Sequence, residues 1–498
     1  MTKHSLLHFL FLLSGVVLNS QGLGELLHQE ASLAHRGEVQ PAQLKPAAHP
    51  GDHVPWVVMA IFLEKPTPFM EEFWKKVAAL EYKKSSIDLY IYNGVKLHEA
   101  GVEAFTRAHD DQYRSIEVIG QKVPQNYITL EQVDWAVRDH ALHICARVTC
   151  DYLFMLDSQV QLDNAFTLDL LMKEHLPIVA PLLQHPQSGW TNFWSSLSPH
   201  GYYSRSLVHL QVFQRARKGV WRVLLVSKCF LVEGRLTHSP QTRPSHRHRL
   251  LDPDSALMAN IRARGGAIYV TQRGDFGHLV DPEGFSTGHL HNELWEQGRN
   301  RFDWQQRYIH QLYSSKASAS SRSICGDLPV YRLPVFTDTF CQQLVAEGEH
   351  QGDWGRLNKH DGVPLLDIGM TQIGFHEELR AILEAYVMPM QEALLPGLEG
   401  LFRKHYMVRY RAEEQASVSP HKDNSTYTVN VALNRPGQDF EGGGVQFEEW
   451  RIPFLHPATC QVNDTKIGWL LMHPGLLAHE GLRVTKGTRY IMVSLVQS

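Results

Sequence analysis

The chain has 498 residues, of which 43% are apolar and 20% charged, a globular composition long enough for two or three domains. A formal net charge of −4 provides no broad basic surface and argues against nonspecific nucleic-acid binding. After residue 22 no hydrophobic stretch is long enough to span a bilayer.

In chain order, Met1-Thr2-Lys3-His4 precedes an almost wholly apolar run from Leu6 to Leu18 and then Asn19-Ser20-Gln21-Gly22, which predicts a signal peptide over residues 1–22. Residues 23–52 are rich in Ala, His, Pro and Glu without apolar periodicity and are expected to be a flexible lead-in. The chain does not end in a Lys-Asp-Glu-Leu type sequence, so retention inside the secretory pathway would need a partner. Trp56 to Leu63 is a buried-strand pattern, Pro66 to Tyr82 has helical spacing, Ile87 to Tyr92 is a strand, Leu130 to Arg147 a helix and Asp151 to Asp157 a strand. This alternation predicts a Rossmann-like α/β domain with a largely parallel sheet.

The last of these strands runs into Asp157-Ser158-Gln159. A divalent ion held against a diphosphate at such a strand end would need two carboxylates. The second carboxylate is missing and Asp163 lies too far along to replace it, so the domain is expected to serve as a scaffold, dimerisation or substrate-docking module. His246-Arg247-His248 with Arg243 and Arg249 has the character of a solvated basic loop, and Phe375 to Met390 has helical spacing. Six cysteines allow fifteen pairings; two of them, Cys145 and Cys150, lie close together at the end of a predicted helix.

Near the C-terminus, His421-Lys422-Asp423 precedes a β-branched and aromatic run through Leu433. Residues i and i+2 of a strand share a face, so His421 and Asp423 can reach one ion. With His479 they form two imidazoles and a carboxylate, a set that leans towards non-haem iron with open positions rather than tetrahedral zinc. Arg489 stands ten residues after His479 in a strand whose in-phase neighbours Ile491, Val493 and Leu495 are apolar. A guanidinium on an apolar face needs an anion, and its planar fork matches a carboxylate. His473, in His473-Pro474-Gly475, is the competing third ligand. Asn430 falls on the small or polar face of its strand with Thr426, Thr428 and Ala432, and Gly442-Gly443-Gly444 reads as a tight turn.

The words around these residues carry a resemblance. Val408-Arg409-Tyr410, Asn430-Val431-Ala432-Leu433-Asn434, Glu441-Gly442-Gly443-Gly444, His473-Pro474-Gly475, His479-Glu480-Gly481-Leu482 and Gly487-Thr488-Arg489-Tyr490-Ile491 resemble the procollagen-lysine 2-oxoglutarate 5-dioxygenases, the lysyl hydroxylases. Upstream the resemblance includes Pro66-Thr67-Pro68-Phe69, Val179-Ala180-Pro181-Leu182, Ser188 to Trp194, Gly219-Val220-Trp221 and Asp252-Pro253-Asp254, and it covers most of the chain after residue 53. It implies a glycosyltransferase-A-like accessory domain over 53–325 and a double-stranded β-helix, or jelly-roll, dioxygenase domain over 326–498, a short form without the family's separate N-terminal glycosyltransferase domain.

Residue by residue, the resemblance implies Fe(II) held by His421, Asp423 and His479, with His479 preferred over His473 by the family's spacing to the arginine. It implies 2-oxoglutarate held by Arg489, Asn430 and Tyr410, L-ascorbate as reductant, and Arg356 at a further position near the co-substrate. The implied substrate is lysine in collagen-like Gly-X-Lys sequences of procollagen, and the implied setting is the endoplasmic reticulum lumen or secretion, as a homodimer or in complex with other secretory-pathway proteins. Disulfides Cys145–Cys150 and Cys325–Cys460, with Cys229 and Cys341 free, are implied in the same way. A lysine pocket should offer acidic groups at its mouth, and Glu413, Glu414, Asp439, Glu441 and Glu480 lie close in sequence. Two departures stand out: Ala478 directly precedes His479 where the family has an additional His-Tyr pair, and Arg451 to Ile467 is longer, with a glycosylation sequon at Asn463-Asp464-Thr465. The rival readings are a prolyl hydroxylase, a catalytically silent partner of other hydroxylases, and a glycosyltransferase.

Overall fold

The computed structural model describes residues 54–497 except 121–129, 198–202, 217, 319–320, 356–358, 361–362, 398–399 and 450–457. The expected signal peptide and lead-in, and Arg356, lie outside the described residues. The chain divides into two compact units, one ending at Gly284 and the other beginning at Phe285.

In the first unit, β1 (Val57–Leu63), β2 (Ile87–Asn93), β3 (Ser115–Ile119), β4 (Tyr152–Asp157), β5 (Ile178–Pro181), β6 (Val220–Val223), β7 (Cys229–Glu233) and β8 (Ile268–Thr271) form one sheet in the order β6-β8-β5-β7-β4-β1-β2-β3. Helices α1 (Met70–Ala78), α2 (Glu99–His109), α3 (Leu130–Val148) and α4 (Pro253–Ala263) belong to the same unit. Alternate residues of β1 enter two different cores: Val57, Met59, Ile61 and Leu63 on one face, Val58, Ala60 and Phe62 on the other. Burial on both faces explains why the strand reads as an unbroken apolar run.

The α/β expectation holds, but the sheet is mixed. β1 pairs in parallel with β2 and β4, β2 with β3, and β5 with β8, whereas β7 is antiparallel to both β4 and β5, and β6 to β8. A buried apolar strand has the same composition in either direction, so the orientation of β7 was not readable from its residues.

The second unit begins earlier than the expected 325/326 boundary. Helix α5 (Arg301–Tyr308) belongs to it because Trp304 stacks on Tyr386 at 5.8 Å and Tyr308 lies edge-on to Phe340 at 6.0 Å, with the Tyr308 hydroxyl donating to Gln343 at 2.8 Å. Phe340 is on α6 (Asp338–Gln351) and Tyr386 ends α7 (His376–Tyr386). The helix expected over Phe375 to Met390 is interrupted: α8 (Met388–Leu394) starts afresh with Pro389 in its first turn, where the missing N–H does no harm.

Besides a small two-stranded pair, Lys359–His360 with Val363–Pro364, the strands of this unit are β9 (Tyr331–Pro334), β10 (Asp367–Gly369), β11 (Leu401–Arg411), β12 (Val418–His421), β13 (Tyr427–Ala432), β14 (Phe440–Gly442), β15 (Val445–Glu449), β16 (Ala458–Val462), β17 (Trp469–Pro474), β18 (Ala478–Gly481) and β19 (Val484–Gln497). They form a large sheet, β9-β17-β13-β19-β11-β10 with β14 also on β19, and a small sheet, β12-β18-β15-β16. Tyr406, Val408 and Tyr410 of β11 cluster with Ile491, Val493 and Leu495 of β19 and with Val418 of β12, so side chains of both sheets meet in one core. This is a jelly-roll.

Cys145 is bonded to Cys150 and Cys325 to Cys460, while Cys229 and Cys341 are free and buried. Burial pushes both free thiols up, away from the reactive thiolate. Peptide mapping without reduction should recover the two bonds, with Cys229 and Cys341 alkylated only after unfolding. The Cys325–Cys460 bond closes a separation of 135 residues, so Cys460→Ser should cost on the order of 4 to 5 kcal/mol by the loop-entropy relation. An unchanged urea midpoint would contradict this.

Candidate metal centre and pocket

His421 ends β12 and His479 lies on the neighbouring β18, directly opposite it in the antiparallel register. Asp423 follows β12 in the link to β13, and its backbone N–H donates to the carbonyl of Gly475 at 2.9 Å. That approach requires glycine at 475, because a Cβ there would come within 2.2 Å of Ser425. The His-Pro-Gly turn after β17 therefore seats the carboxylate. The connection from β17 to β18 has only Gly475, Leu476 and Leu477, the short link expected from Ala478-His479.

The donor atoms of His421, Asp423 and His479 all lie within 4.8 Å of one another. Each imidazole Nε2 is 3.6 Å from an Asp423 oxygen. That separation is too long for a hydrogen bond and suits groups converging on a common ion. His421 Nδ1 lies 2.9 Å from the Ser419 carbonyl and His479 Nδ1 3.0 Å from that of Leu477. A carbonyl can only accept, so both Nδ1 atoms carry hydrogen and both Nε2 lone pairs face the centre. Burial pulls the His479 pKa down and favours the neutral form that a ligand needs. Thr428 donates to Asp423 Oδ2 at 2.5 Å, fixing the carboxylate rotamer.

His473 does not compete for the ion. Its ring is fully buried beside His479, with centroids 4.6 Å apart, Nδ1 donates to the Pro474 carbonyl, and Nε2 accepts from the Asn430 amide at 3.3 Å. Its lone pair is already used, and burial holds it neutral. The sequence expectation of a structural imidazole agrees, with the added finding that it orients Asn430.

A narrow pocket opens in front of the triad. Its lining includes Tyr410, Val418, Asn430, Arg489, Ile491 and Val493. Arg489 is 2% exposed and pairs across the strands with Tyr410, whose ring centre lies 5.4 Å from the guanidinium carbon. Arg489 Nη1 donates to the Gly444 carbonyl at 3.0 Å, and among the described residues no carboxylate pairs with it. Burial without an anion depresses its pKa, while burial raises that of Tyr410, leaving a neutral phenol. All three glycines of the Gly442-Gly443-Gly444 turn have positive φ, and at Gly443 (φ 72°) a Cβ would press within 3.1 Å of Arg489 Cδ.

Of the sequence-derived site residues, His421, Asp423, His479, Arg489, Asn430 and Tyr410 thus line one pocket. Thr428, Gly475 and the Gly444 carbonyl were missed. Thr428 was within reach, since it shares the polar face of Asn430; the two backbone contacts depend on strand packing that no local pattern encodes.

Fold and donor set together define the class: a jelly-roll with a two-histidine, one-carboxylate face and a buried arginine at the far end of the same pocket. Residues 107–292 match the profile of the glycosyltransferase family 25 N-terminal domain. The chain is 38% identical over 458 residues to procollagen-lysine,2-oxoglutarate 5-dioxygenase 1 of Gallus gallus, covering 89% of this chain and 60% of that protein. It is 35% identical over 463 residues to the multifunctional procollagen lysine hydroxylase and glycosyltransferase LH3 of Rattus norvegicus, covering 90% of this chain and 60% of that protein. The chain therefore spans about 60% of the length of these curated relatives. Among solved structures, a Pseudomonas putida prolyl-4-hydroxylase aligns with 37% of this chain and 98% of its own at 16% identity and a TM-score of 0.28. The chain is thus similar to the lysyl hydroxylases over 89% of its own length.

Thr428→Val should weaken divalent-metal binding by about ten- to a hundred-fold, the usual effect of removing a partner that orients a ligand. His473→Gln, which keeps an acceptor for Asn430, should leave one ion per chain. An anaerobic Co(II) titration reads both; wild-type affinity in Thr428→Val, or loss of the ion in His473→Gln, would refute the assigned roles.

Proposed function

We propose that the chain is an Fe(II)- and 2-oxoglutarate-dependent hydroxylase of peptidyl lysine in collagen-like Gly-X-Lys sequences. The observation that carries the reading is Arg489, a buried guanidinium without a carboxylate, in the pocket whose other end is the His421, Asp423 and His479 face. A linear dicarboxylate satisfies both ends, one by chelation and the other by the planar fork. Bound Fe(II) would supply the oxygen activation that couples decarboxylation of 2-oxoglutarate, to succinate and CO₂, with hydroxylation of a C–H bond. L-ascorbate is the reductant expected to keep that metal ferrous.

The chain's own groups have distinct tasks. His421 and His479 present bare Nε2 atoms, and Asp423 is held by Thr428. Arg489 fixes the far carboxylate, with the Tyr410 phenol and the Asn430 amide beside it in the lining. Val418, Ile491 and Val493 form an apolar wall that keeps water from the reacting centre and strengthens the charge pairing at Arg489.

Lysine as acceptor is supported chiefly by the relatives, since four of the five acidic candidates are absent from the pocket lining. Glu414 is paired with Arg409 and Arg411, Glu441 with Lys486, Asp439 accepts from the Arg435 backbone, and Glu413 is exposed. Glu480, next to His479 on β18, is the one of these five that lines the pocket. Among the described residues no helix is long and apolar enough to cross a membrane. The two disulfides suit the secretory pathway, with the endoplasmic reticulum lumen as the working site and a homodimer or another secretory protein as the partner in retention.

Incubation with Gly-X-Lys and Gly-X-Pro peptides, Fe(II), 2-oxoglutarate and ascorbate, followed by mass spectrometry, tests this reading. Hydroxylysine is expected, and lost in Asp423→Ala. Hydroxyproline alone would replace the substrate, and no product from either peptide would refute the assignment of an autonomous collagen hydroxylase.

A further inference from the structure

The first unit matches a glycosyltransferase family profile, which raises the question of what fills its crevice. In an open α/β sheet, ligands sit outside the carboxyl ends of the strands where the strand order reverses. Here that point lies between β1, which continues to β2 and β3 on one side, and β4 on the other. Three carboxylates gather there: Glu64, just after β1; Asp157, the last residue of β4; and Asp254, in the first turn of α4. This arrangement could serve a divalent ion, but its centre is already occupied.

Arg138 of α3, with a side chain 4% exposed, lies among all three. Its Nε and Nη2 donate to the two Glu64 oxygens at 2.9 Å each, Nη2 also donates to Asp157 Oδ1 at 2.9 Å, and Nη1 donates to Asp254 Oδ1 at 3.2 Å. The guanidinium carbon lies 4.5 Å from the centre of the Phe62 ring, which closes one side. The neighbours are committed as well. Asp254 Oδ2 accepts the Lys228 backbone N–H at 3.0 Å, and the Lys228 ammonium bonds the Gln159 side chain. Ser158 bonds Thr67 at 2.8 Å. Gln159, where a second strand-end carboxylate was expected, is therefore joined through Lys228 and Asp254 to the same network, while Ser158 bonds Thr67 beside it.

We propose that Arg138 is the built-in cation of this crevice, standing where a divalent ion would bridge Glu64, Asp157 and Asp254, so that this unit takes up neither the ion nor a metal-bound nucleotide diphosphate. The planar cation makes four hydrogen bonds to four of the six carboxylate oxygens and neutralises charge that an ion would need. The residues present therefore do not fit the metal that transferase chemistry requires, and the reason is a specific side chain in addition to the missing carboxylate. The corollary is a latent site: removal of the guanidinium should leave three converging carboxylates with a strong demand for a cation.

The test uses the full chain carrying Asp423→Ala, which removes the jelly-roll site, and Mn(II) as probe, followed by loss of its free paramagnetic signal. With Arg138 intact, no Mn(II) should bind at millimolar concentration, with or without uridine diphosphate. Addition of Arg138→Ala should create one site, tighter by about a hundred-fold or more as expected from its ligand charge count, and should make the melting temperature rise with Mn(II). Further addition of Asp157→Asn should abolish both effects. Mn(II) bound with Arg138 intact and lost on Asp157→Asn would overturn the proposal. A folded Arg138→Ala protein that takes no Mn(II) would overturn it equally. Should that variant not fold, the Arg138-intact arm decides alone.

Discussion

The buried guanidinium of Arg489 is the constraint on which the jelly-roll unit depends. A charge at 2% exposure without a carboxylate is held at an energetic disadvantage until an anion arrives. The surroundings compensate only in part, through the Gly444 carbonyl and the face of Tyr410. Both contacts restrict the chain: the first needs glycine at 443, and the second needs the long register of β11 against β19 that places Tyr410 opposite Arg489. The triad sits mainly on the other sheet. Packed sheets stand about 10 Å apart, a gap that a five-carbon diacid can bridge between a metal and a guanidinium.

Much of this was legible in the chain because the relevant information is local. Period-two alternation put Arg489 in phase with Ile491 and Val493, whereas His421 and Asp423 meet although the strand expected to carry both ends at His421. The apolar runs at Trp56 to Leu63 and Asp151 to Asp157 marked central strands for the same reason. What escaped was set by packing at a distance. The direction of β7, the docking of Trp304 and Tyr308 onto the second unit, and the seating of Asp423 by the Gly475 carbonyl are all contacts between segments whose sequences do not mention one another. The role of His473 was halfway between: a bland structural histidine was the correct expectation, but its partner Asn430 lies on a different strand.

Two buried arginines show how partnership decides chemistry. Arg138 is surrounded by three carboxylates that raise its affinity for its proton, whereas Arg489 has none among the described residues and burial lowers it. The first is neutralised by its carboxylates and closes a crevice; the second lacks such a partner and invites an anionic ligand. Identical side chains at similar depth thus have opposite consequences, set by the carboxylates each finds nearby. This contrast also explains how a chain with a glycosyltransferase-like unit can be assigned its chemistry from the jelly-roll alone.

The pairing of Arg489 with a distal carboxylate is tested most directly by anaerobic titration of the Fe(II)-loaded protein with 2-oxoglutarate and with 2-oxobutyrate, which has the same chelating group but no second carboxylate. The visible charge-transfer band should report much tighter binding of the diacid in the wild-type chain, by roughly thirty-fold to several-thousand-fold, equivalent to about 2 to 5 kcal/mol for a buried charge pair. In Arg489→Ala the two acids should bind alike. Equal binding in the wild-type chain, or undiminished preference for the diacid in Arg489→Ala, would contradict the assignment of Arg489 and with it the 2-oxoglutarate pocket.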